Sequence, residues 1–229
     1  MKPDQFAHIN TDNIKQLLTE IVATPGVFAA FSTSLSIEDQ VITDVIFKNN
    51  LPIRVFTLDT GRLFNESYSV LSSTRNHYKQ EVETYYPDAE TLQELITSKG
   101  PNLFYESVEN RKNCCQVRKV EPLNRALSGV NVWITGLRAE HSENRTGMSV
   151  FEWDASRQLT KVNPLIHWTT DDVWSYIRGN HVPYNVLQDK GFVSLGCQPC
   201  TRAVKEGESF RAGRWWWEDN TKKECGLHT

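Results

Sequence analysis

The chain of 229 residues contains five cysteines whose spacing falls into three groups. Cys114 and Cys115 are adjacent, Cys197 and Cys200 form a CQPC unit, and Cys225 stands alone in the closing ECGLHT. Adjacent cysteines rarely form a disulfide without strain, and five thiols leave one unpaired. The spacing therefore favours thiolate chemistry, with four cysteines as a metal site and Cys225 as a nucleophile.

The identity of the metal stays open when only the residue types are considered. Four thiolates are a sufficient ligand set for a 4Fe-4S cluster or for a structural Zn²⁺, and CxxC units serve both. Redox-active thiols are a third possibility. Lys119 follows Cys115 by one helical turn, so the two side chains share a face if this segment is helical. A cation in that position would offset the negative charge of a metal–thiolate site.

Cys225 has neighbours that suit a nucleophile. The thiolate is the attacking form of cysteine, and the nearby Lys222, Lys223 and His228 favour it, whereas Glu224 opposes it. His228 is the candidate residue for activating the thiol. The alternative interpretation is an incidental surface cysteine.

Composition limits the class of protein. A chain with 39% hydrophobic residues can bury one sizeable core without disulfides. The net charge of −3 provides no overall basic field, so nucleic acid is not an expected partner and anion binding must come from local arginines. The N-terminal sequence lacks the apolar segment of a signal peptide, and no apolar run approaches the ~20 residues of a membrane span. The cytoplasm, where thiols stay reduced, is the expected compartment.

The apolar pattern switches repeatedly between helical and strand periods, which is typical of a mainly parallel α/β sheet. Predicted helices begin at residue 11 or 12, pass through 41–46, and cover 63–78, 88–99, 114–127 and 169–178. Predicted strands cover 27–31, 53–58, 81–86 and 130–135, with a hairpin over 148–162. Pro122 is the main objection to the helix over 114–127. After Arg202 the periodicity ends, which predicts an α/β domain over 1–202 and a tail over 203–229.

Short polar residues follow three of the predicted strands. Ligands of open α/β sheets bind at the carboxyl ends of strands, where helix N-termini offer unpaired N–H groups. The candidate binding residues at these ends are Ser32, Ser34, Leu58, Asp59, Thr60, Gly136, Arg138 and Arg145. Each group alone is also compatible with an ordinary helix cap or turn. Together they favour a nucleotide-like anionic ligand.

Eight short strings, in this order, give the chain a resemblance to a known family. They are STSLSIED, TLDTGRLF, CCQVRK, TGLRAEHSENR, NPLIHW, CQPCTR, RAGRWWW and ECGLH. The chain resembles the phosphoadenylyl/adenylyl-sulfate reductases, in the assimilatory branch that carries an iron–sulfur cluster and reduces adenosine 5′-phosphosulfate. The resemblance implies an adenine nucleotide α-hydrolase-like fold, related to the ATP pyrophosphatases: a mainly parallel twisted sheet flanked by helices, with a mobile C-terminal tail. Ser36 departs from the glycine that related loops often have there.

The resemblance also implies roles for individual residues. One 4Fe-4S cluster per chain would be bound by Cys114, Cys115, Cys197 and Cys200. Catalysis would involve Cys225, His228 and Lys119. Arg211 and Arg214 of the RAGRWWW string would join Arg138 and Arg145 in binding sulfate or phosphate oxygens, a task for which the planar guanidinium is suited. Of the three tryptophans Trp215, Trp216 and Trp217, at least one is expected to pack on the core.

The implied reaction is the reduction of adenosine 5′-phosphosulfate to sulfite and AMP through an S-sulfocysteine at Cys225, with thioredoxin or glutaredoxin as reductant. A homo-oligomer is expected. Two other functions stay open: a reductase of 3′-phosphoadenylyl sulfate, whose known members typically lack the cluster, and a non-catalytic nucleotide- or metal-binding protein on the same scaffold.

Overall fold

The computed structural model of the protein describes residues 1–141 and 147–218. The helices are α1 (Ile14–Ala23), α2 (Ile37–Lys48), α3 (Asn65–Tyr78), α4 (Ala89–Lys99), α5 (Val108–Cys115), α6 (Glu121–Ala126) and α7 (Thr170–Gly179). The strands are β1 (Ala29–Thr33), β2 (Arg54–Leu58), β3 (Glu83–Tyr85), β4 (Val132–Ile134), β5 (Phe151–Asp154) and β6 (Leu159–Val162). Across this described part of the chain, none of the helices combines the length and the apolar character that crossing a membrane requires.

The six strands form one sheet in the order β3-β2-β1-β4-β6-β5. Strand β1 runs parallel to β2 and to β4, and β4 runs parallel to β6. Strand β5 pairs antiparallel with β6, which is the hairpin predicted over 148–162. The predicted α/β class with a mainly parallel sheet is thereby confirmed.

Polar side chains fix where the helices begin. Five helices are preceded by a residue whose side chain accepts an N–H of the first turn: Asn13, Ser36, Asp88, Ser107 and Thr169. Such caps pair donors that the helix itself cannot satisfy. Strand β1 lies two residues later than the predicted strand over 27–31, so Ser32 belongs to the strand and only Ser34 follows it.

The segment that carries the first two cysteines differs from the single predicted helix over 114–127. Helix α5 begins earlier, at Val108, and a π-helical segment over Gln116–Val120 separates it from α6. Pro122 lies in the first turn of α6, where its missing N–H costs no hydrogen bond. The proline is therefore compatible with helix here.

The described residues divide into two compact units. The first comprises 1–57, 65–83 and the described part of 129–188; its core joins apolar residues of α1, α2 and α7 to those of the parallel strands. The second comprises 58–64, 84–128 and the described part of 189–229. Its smaller core contains Leu103, Phe104, Val117 and Trp215 together with three of the cysteines. The predicted boundary at residue 202 stays a prediction.

Candidate active site

In the first unit, the loop between β1 and α2 holds a buried carboxylate. The backbone N–H and the hydroxyl of Ser34 both donate to Oδ2 of Asp39, at 2.5 and 2.7 Å. Ser36, the residue that departs from the related loops, caps α2 by accepting the N–H of Asp39. Burial raises the pKa of Asp39 to about 7, against the opposing effect of the hydrogen bonds from Ser34. The donors of Ser34 are thus occupied by a carboxyl group that changes its charge near neutral pH.

The side chain of Asp39 leaves room only for glycine at position 136. A Cβ atom at position 136 would lie 2.0 Å from Oδ1 of Asp39, far inside contact distance. Ser32, on β1, accepts the indole N–H of Trp133 through its hydroxyl at 2.9 Å. Ser32, Ser34 and Gly136, all predicted from strand ends, therefore lie in the first unit with defined partners. Asp39 was not among the predicted residues.

Arg138 is a fully buried residue of the first unit, with 0% of its surface exposed. Its Nε and Nη2 donate to Oε1 of Glu38, Nη1 donates to Glu140 and to the carbonyl of Trp168, and Nη2 also donates to the hydroxyl of Thr170. A guanidinium has five N–H donors, and these five bonds use all of them. Arg138 was predicted to bind substrate oxygens; in this arrangement its donors are bound to protein acceptors.

In the second unit, the turn after β2 contacts one of the cysteines. Asp59 accepts the N–H of Gly61 at 2.8 Å, and Gly61 has the positive φ of +69° that glycine tolerates. The hydroxyl of Thr60 lies 3.2 Å from Sγ of Cys197, within hydrogen-bond distance. The carbonyl of Thr60 accepts Nη1 of Arg118 at 2.5 Å. Leu58, Asp59 and Thr60 were predicted from a strand end, but the contact of Thr60 with a cysteine was not.

Four buried thiols line one cavity of the second unit: Cys114, Cys115, Cys197 and Cys200. The two cysteine pairs come from distant parts of the sequence, one from the end of α5 and the other from a short 3₁₀ turn. The structure therefore brings together the four cysteines that were predicted to form a metal site.

Basic side chains share the lining of this cavity: Arg62, Arg111, Arg118 and Lys119. Arg111, Arg118 and Lys119 are each less than a tenth exposed. Buried cations are costly unless negative charge lies close to them. The cavity thus combines groups that can become thiolates with groups that stabilise anions. Lys119 was expected near the cysteines from its spacing; Arg62 and Arg111 were not predicted there.

The pKa values of the thiols reflect opposing effects of burial and charge. Burial raises the pKa of Cys114, and it raises the pKa of Cys200 to about 12 together with the neighbouring Cys197. For Cys197 burial acts in the same direction, but the Lys119 ammonium, the hydrogen bond from Thr60 and the nearby arginines outweigh it, so its pKa is lowered. Of Cys114, Cys197 and Cys200, only Cys197 has surroundings that favour the thiolate.

Several N–H donors around the cavity lack an acceptor among the described residues. They include Nη1 of Arg111, Nε of Arg118 and Nε1 of Trp215, all on buried side chains that line the cavity. Unsatisfied buried donors are rare in native proteins, so these three N–H groups are available to an acceptor in the cavity. Among these described residues, no group of three or more His, Cys, Asp or Glu side chains is arranged to hold a single metal ion. The four thiols and these N–H donors line one cavity, and together they suit an anionic group bound there.

Trp215 organises the arginines of the RAGRWWW string. It is fully buried, as expected for at least one of the three tryptophans, and has a φ of +42°, which aromatic residues seldom adopt. The guanidinium carbons of Arg111, Arg214 and Arg211 lie 4.4, 4.9 and 6.0 Å from its ring centre. Arg214 also donates from Nη1 to the carbonyl of Leu195 at 3.0 Å. Arg211 and Arg214 are thus placed in the second unit beside the indole of Trp215.

Three of the predicted site residues, Arg145, Cys225 and His228, lie outside the described residues. Their predicted roles stay predictions, as do the ligand-binding roles of the residues located above.

Comparisons with known proteins agree with this arrangement. The phosphoadenosine phosphosulfate reductase domain family matches residues 29–203. A protein of Allochromatium vinosum named adenosine 5′-phosphosulfate reductase is 50% identical over 198 residues, which cover 86% of this chain and 77% of that protein. A protein of Neisseria meningitidis serogroup B with the same name is 48% identical over 219 residues, or 95% of this chain and 89% of the relative.

Solved structures agree with the α/β fold described above. The phosphoadenylyl-sulfate reductase of Candida auris, in a phosphate complex, has a TM-score of 0.71 and 28% identity, covering 88% of this chain and 94% of its own. The FMN adenylyltransferase of Candida glabrata has a TM-score of 0.52 at 14% identity, covering 99% of this chain and 82% of its own, and supports the adenine nucleotide α-hydrolase-like fold alone. With a family match over most of its length and relatives near half identity, this chain belongs to the phosphoadenosine phosphosulfate reductase family.

Proposed function

We propose that this protein reduces adenosine 5′-phosphosulfate to sulfite and AMP in sulfate assimilation. The observation that carries the proposal is the cavity in which Cys114, Cys115, Cys197 and Cys200 meet a set of buried basic side chains. Relatives at 47–50% identity that are named adenosine 5′-phosphosulfate reductase support the same substrate.

The four cysteines hold one 4Fe-4S cluster. Four thiolates are the usual ligand set, and the unpaired donors of Arg111, Arg118 and Trp215 match a group with acceptor sulfurs. When bound, the cluster supplies fixed charge and structure next to Lys119 rather than electrons, because a thiol and a dithiol reductant already account for the two electrons. Zinc is the alternative metal, and iron and sulfide analysis of anaerobically purified protein distinguishes zinc from the cluster.

Cys225 carries the covalent chemistry. Its thiolate attacks the sulfonate sulfur, the bond from that sulfur to the oxygen bridging to phosphorus breaks, and AMP leaves with the electron pair. The product on the protein is an S-sulfocysteine. Because a thiolate is repelled by an anionic reaction centre, positive charge must be supplied. Lys119, Arg211 and Arg214 supply it from the second unit, together with Arg145, and His228 assists formation of the thiolate.

A dithiol protein completes the reaction. A thiolate of thioredoxin or glutaredoxin attacks Sγ of Cys225, and sulfite leaves with the electron pair of the broken S–S bond. The second thiol of the reductant then resolves the mixed disulfide, so the reductant becomes a disulfide and Cys225 is regenerated. The cysteine content and the proposed dithiol partner support a cytoplasmic location, and we propose a homo-oligomer there.

The nucleotide is bound through residues at the strand ends. We assign this role to Ser32, Ser34 and Gly136 of the first unit; the binding roles of Leu58, Asp59 and Thr60 stay predictions. A phosphate oxygen would take the donors of Ser34 that Asp39 now occupies. The N-terminus of α2, which Ser36 caps, adds a favourable dipole for an anion.

The decisive experiment is the anaerobic assay of sulfite release from adenosine 5′-phosphosulfate with reduced thioredoxin. Parallel kinetics with 3′-phosphoadenylyl sulfate test the second candidate substrate, which the likeness to the Candida auris enzyme favours. A higher kcat/KM for the 3′-phosphorylated nucleotide would overturn the substrate assignment. Radiolabelled sulfo-adduct should form on the parent protein and be lost in Cys225→Ser; an undiminished adduct would show that another residue is the nucleophile.

A further inference from the structure

A buried ion pair links two distant segments of the second unit. Arg111 donates from Nε to Oε1 of Glu218 at 2.6 Å and from Nη2 to Oε2 at 3.3 Å. The side chains are only 3% and 5% exposed, and the residues are 107 positions apart in the sequence. A two-point contact of this kind fixes the plane of the guanidinium. The pair thus gives Arg111 one orientation.

Each partner is attached to a different cysteine pair. Arg111 lies on α5, three residues before Cys114. The backbone N–H of Glu218 donates to the carbonyl of Trp215 at 2.9 Å, and the N–H of Trp215 donates to the carbonyl of Cys200 at 3.3 Å. The Arg111–Glu218 contact therefore closes a loop of interactions that connects the helix carrying one cysteine pair to the turn carrying the other.

The Arg111–Glu218 pair also determines the net charge at the wall of the cavity. Arg111 lines the cavity, lies over the ring of Trp215, and leaves Nη1 without an acceptor among the described residues. Glu218 neutralises the guanidinium while using its other two nitrogens. Without Glu218, the same cation would stand uncompensated beside four thiols, and an uncompensated buried charge is costly.

We propose that Glu218 is a positioning residue for the metal centre. It acts through Arg111, holding the two cysteine pairs in register and balancing the charge next to the cluster. The inference rests on the proposed function, since it concerns the cluster that these cysteines are proposed to hold.

The test compares Glu218→Gln with Glu208→Gln in full-length, anaerobically purified protein. Glu208 is a matched control, because it also accepts a two-point contact, from Nη1 and Nη2 of Arg202, but is partly exposed. In Glu218→Gln, iron release to a chelator should become at least fivefold faster. The midpoint potential of the cluster should rise by at least 59 mV, the equivalent of a tenfold change in a one-electron equilibrium. Glu208→Gln should match the parent protein in both measurements.

A second variant separates charge from structure. In Arg111→Met/Glu218→Gln the extra positive charge is absent, so the potential should return toward the parent value although iron release stays fast. Glu218→Asp, which keeps the charge, should keep the parent potential and covers the case in which Glu218→Gln does not fold. A Glu218→Gln protein that equals the control, or a shift that the double variant does not reverse, would overturn the inference. A parent protein without iron would instead refute the cluster assignment, and the inference with it.

Discussion

Replacing Arg138 with methionine should destabilise the fold rather than weaken substrate binding alone. The substitution removes five hydrogen bonds and leaves Glu38, whose side chain is 4% exposed, as a buried carboxylate that has lost its cation. Removing one partner of a buried ion pair typically costs about 3–5 kcal/mol. Since a domain of this kind has a total stability of roughly 5–15 kcal/mol, the variant should fold but unfold at much lower denaturant.

Equilibrium unfolding in urea under anaerobic conditions measures this loss. Arg138→Lys keeps the charge but has at most three donors, so it should fall between the parent and Arg138→Met. Arg202→Met is the control, because its solvent-screened pair with Glu208 should contribute much less to stability than a buried pair. If Arg138→Met kept parental stability while KM for the nucleotide rose tenfold or more, Arg138 would contact substrate directly, and the reasoning from its occupied donors would be refuted.

Three further results are expected. Burial raises the pKa of Asp39 from 3.8 to about 7, so the folded protein retains a proton that the unfolded chain releases. The free energy of unfolding should therefore fall as pH rises from 4 to 7, by at most on the order of 4 kcal/mol. Urea titrations at pH 5 and 8 should show this fall in the parent protein and not in Asp39→Asn. Gly136→Ala should displace Asp39 and weaken AMP binding at least tenfold by calorimetry, and parental affinity would contradict the proposed contact. Cys197→Ser should lose iron and sulfide while Cys225→Ser retains both, and equal metal content in the two would count against the four-cysteine site.

The sequence pattern predicted the fold where local signals and packing agree. The helix predicted from residue 11 or 12 is α1, whose residues Ile14, Leu17, Leu18 and Ile21 are buried at helical spacing. The helix predicted over 169–178 is α7, and Thr169 caps it with a reciprocal contact to Asp172. Signals of this kind depend on neighbours within one or two turns and are therefore readable from sequence.

Helix α2 shows a feature that local sequence signals do not predict. The pattern predicted a helix through 41–46, and in the structure every residue from 37 to 47 is buried, polar ones included. The polar side chains on the other faces find partners in remote elements: Asp44 accepts the hydroxyls of Tyr78 and Tyr176, and Gln40 donates to Thr74. No local pattern reveals which distant group will pair with a buried polar residue. The same limit applies to Arg138, because the spacing of its neighbours does not reveal the distant acceptors Glu38 and Trp168.

The cysteine cavity depends on this long-range matching of charge. Burial disfavours the thiolate forms of Cys114 and Cys200, yet thiolates are what a metal requires. The basic residues in the wall counter that effect, as the lowered pKa of Cys197 shows. An excess of buried positive charge would itself destabilise the fold, and Glu218 neutralises part of that charge through Arg111. The cysteines could be recognised from spacing alone, but the charge balance that makes them usable as ligands arises only when segments 107 residues apart meet.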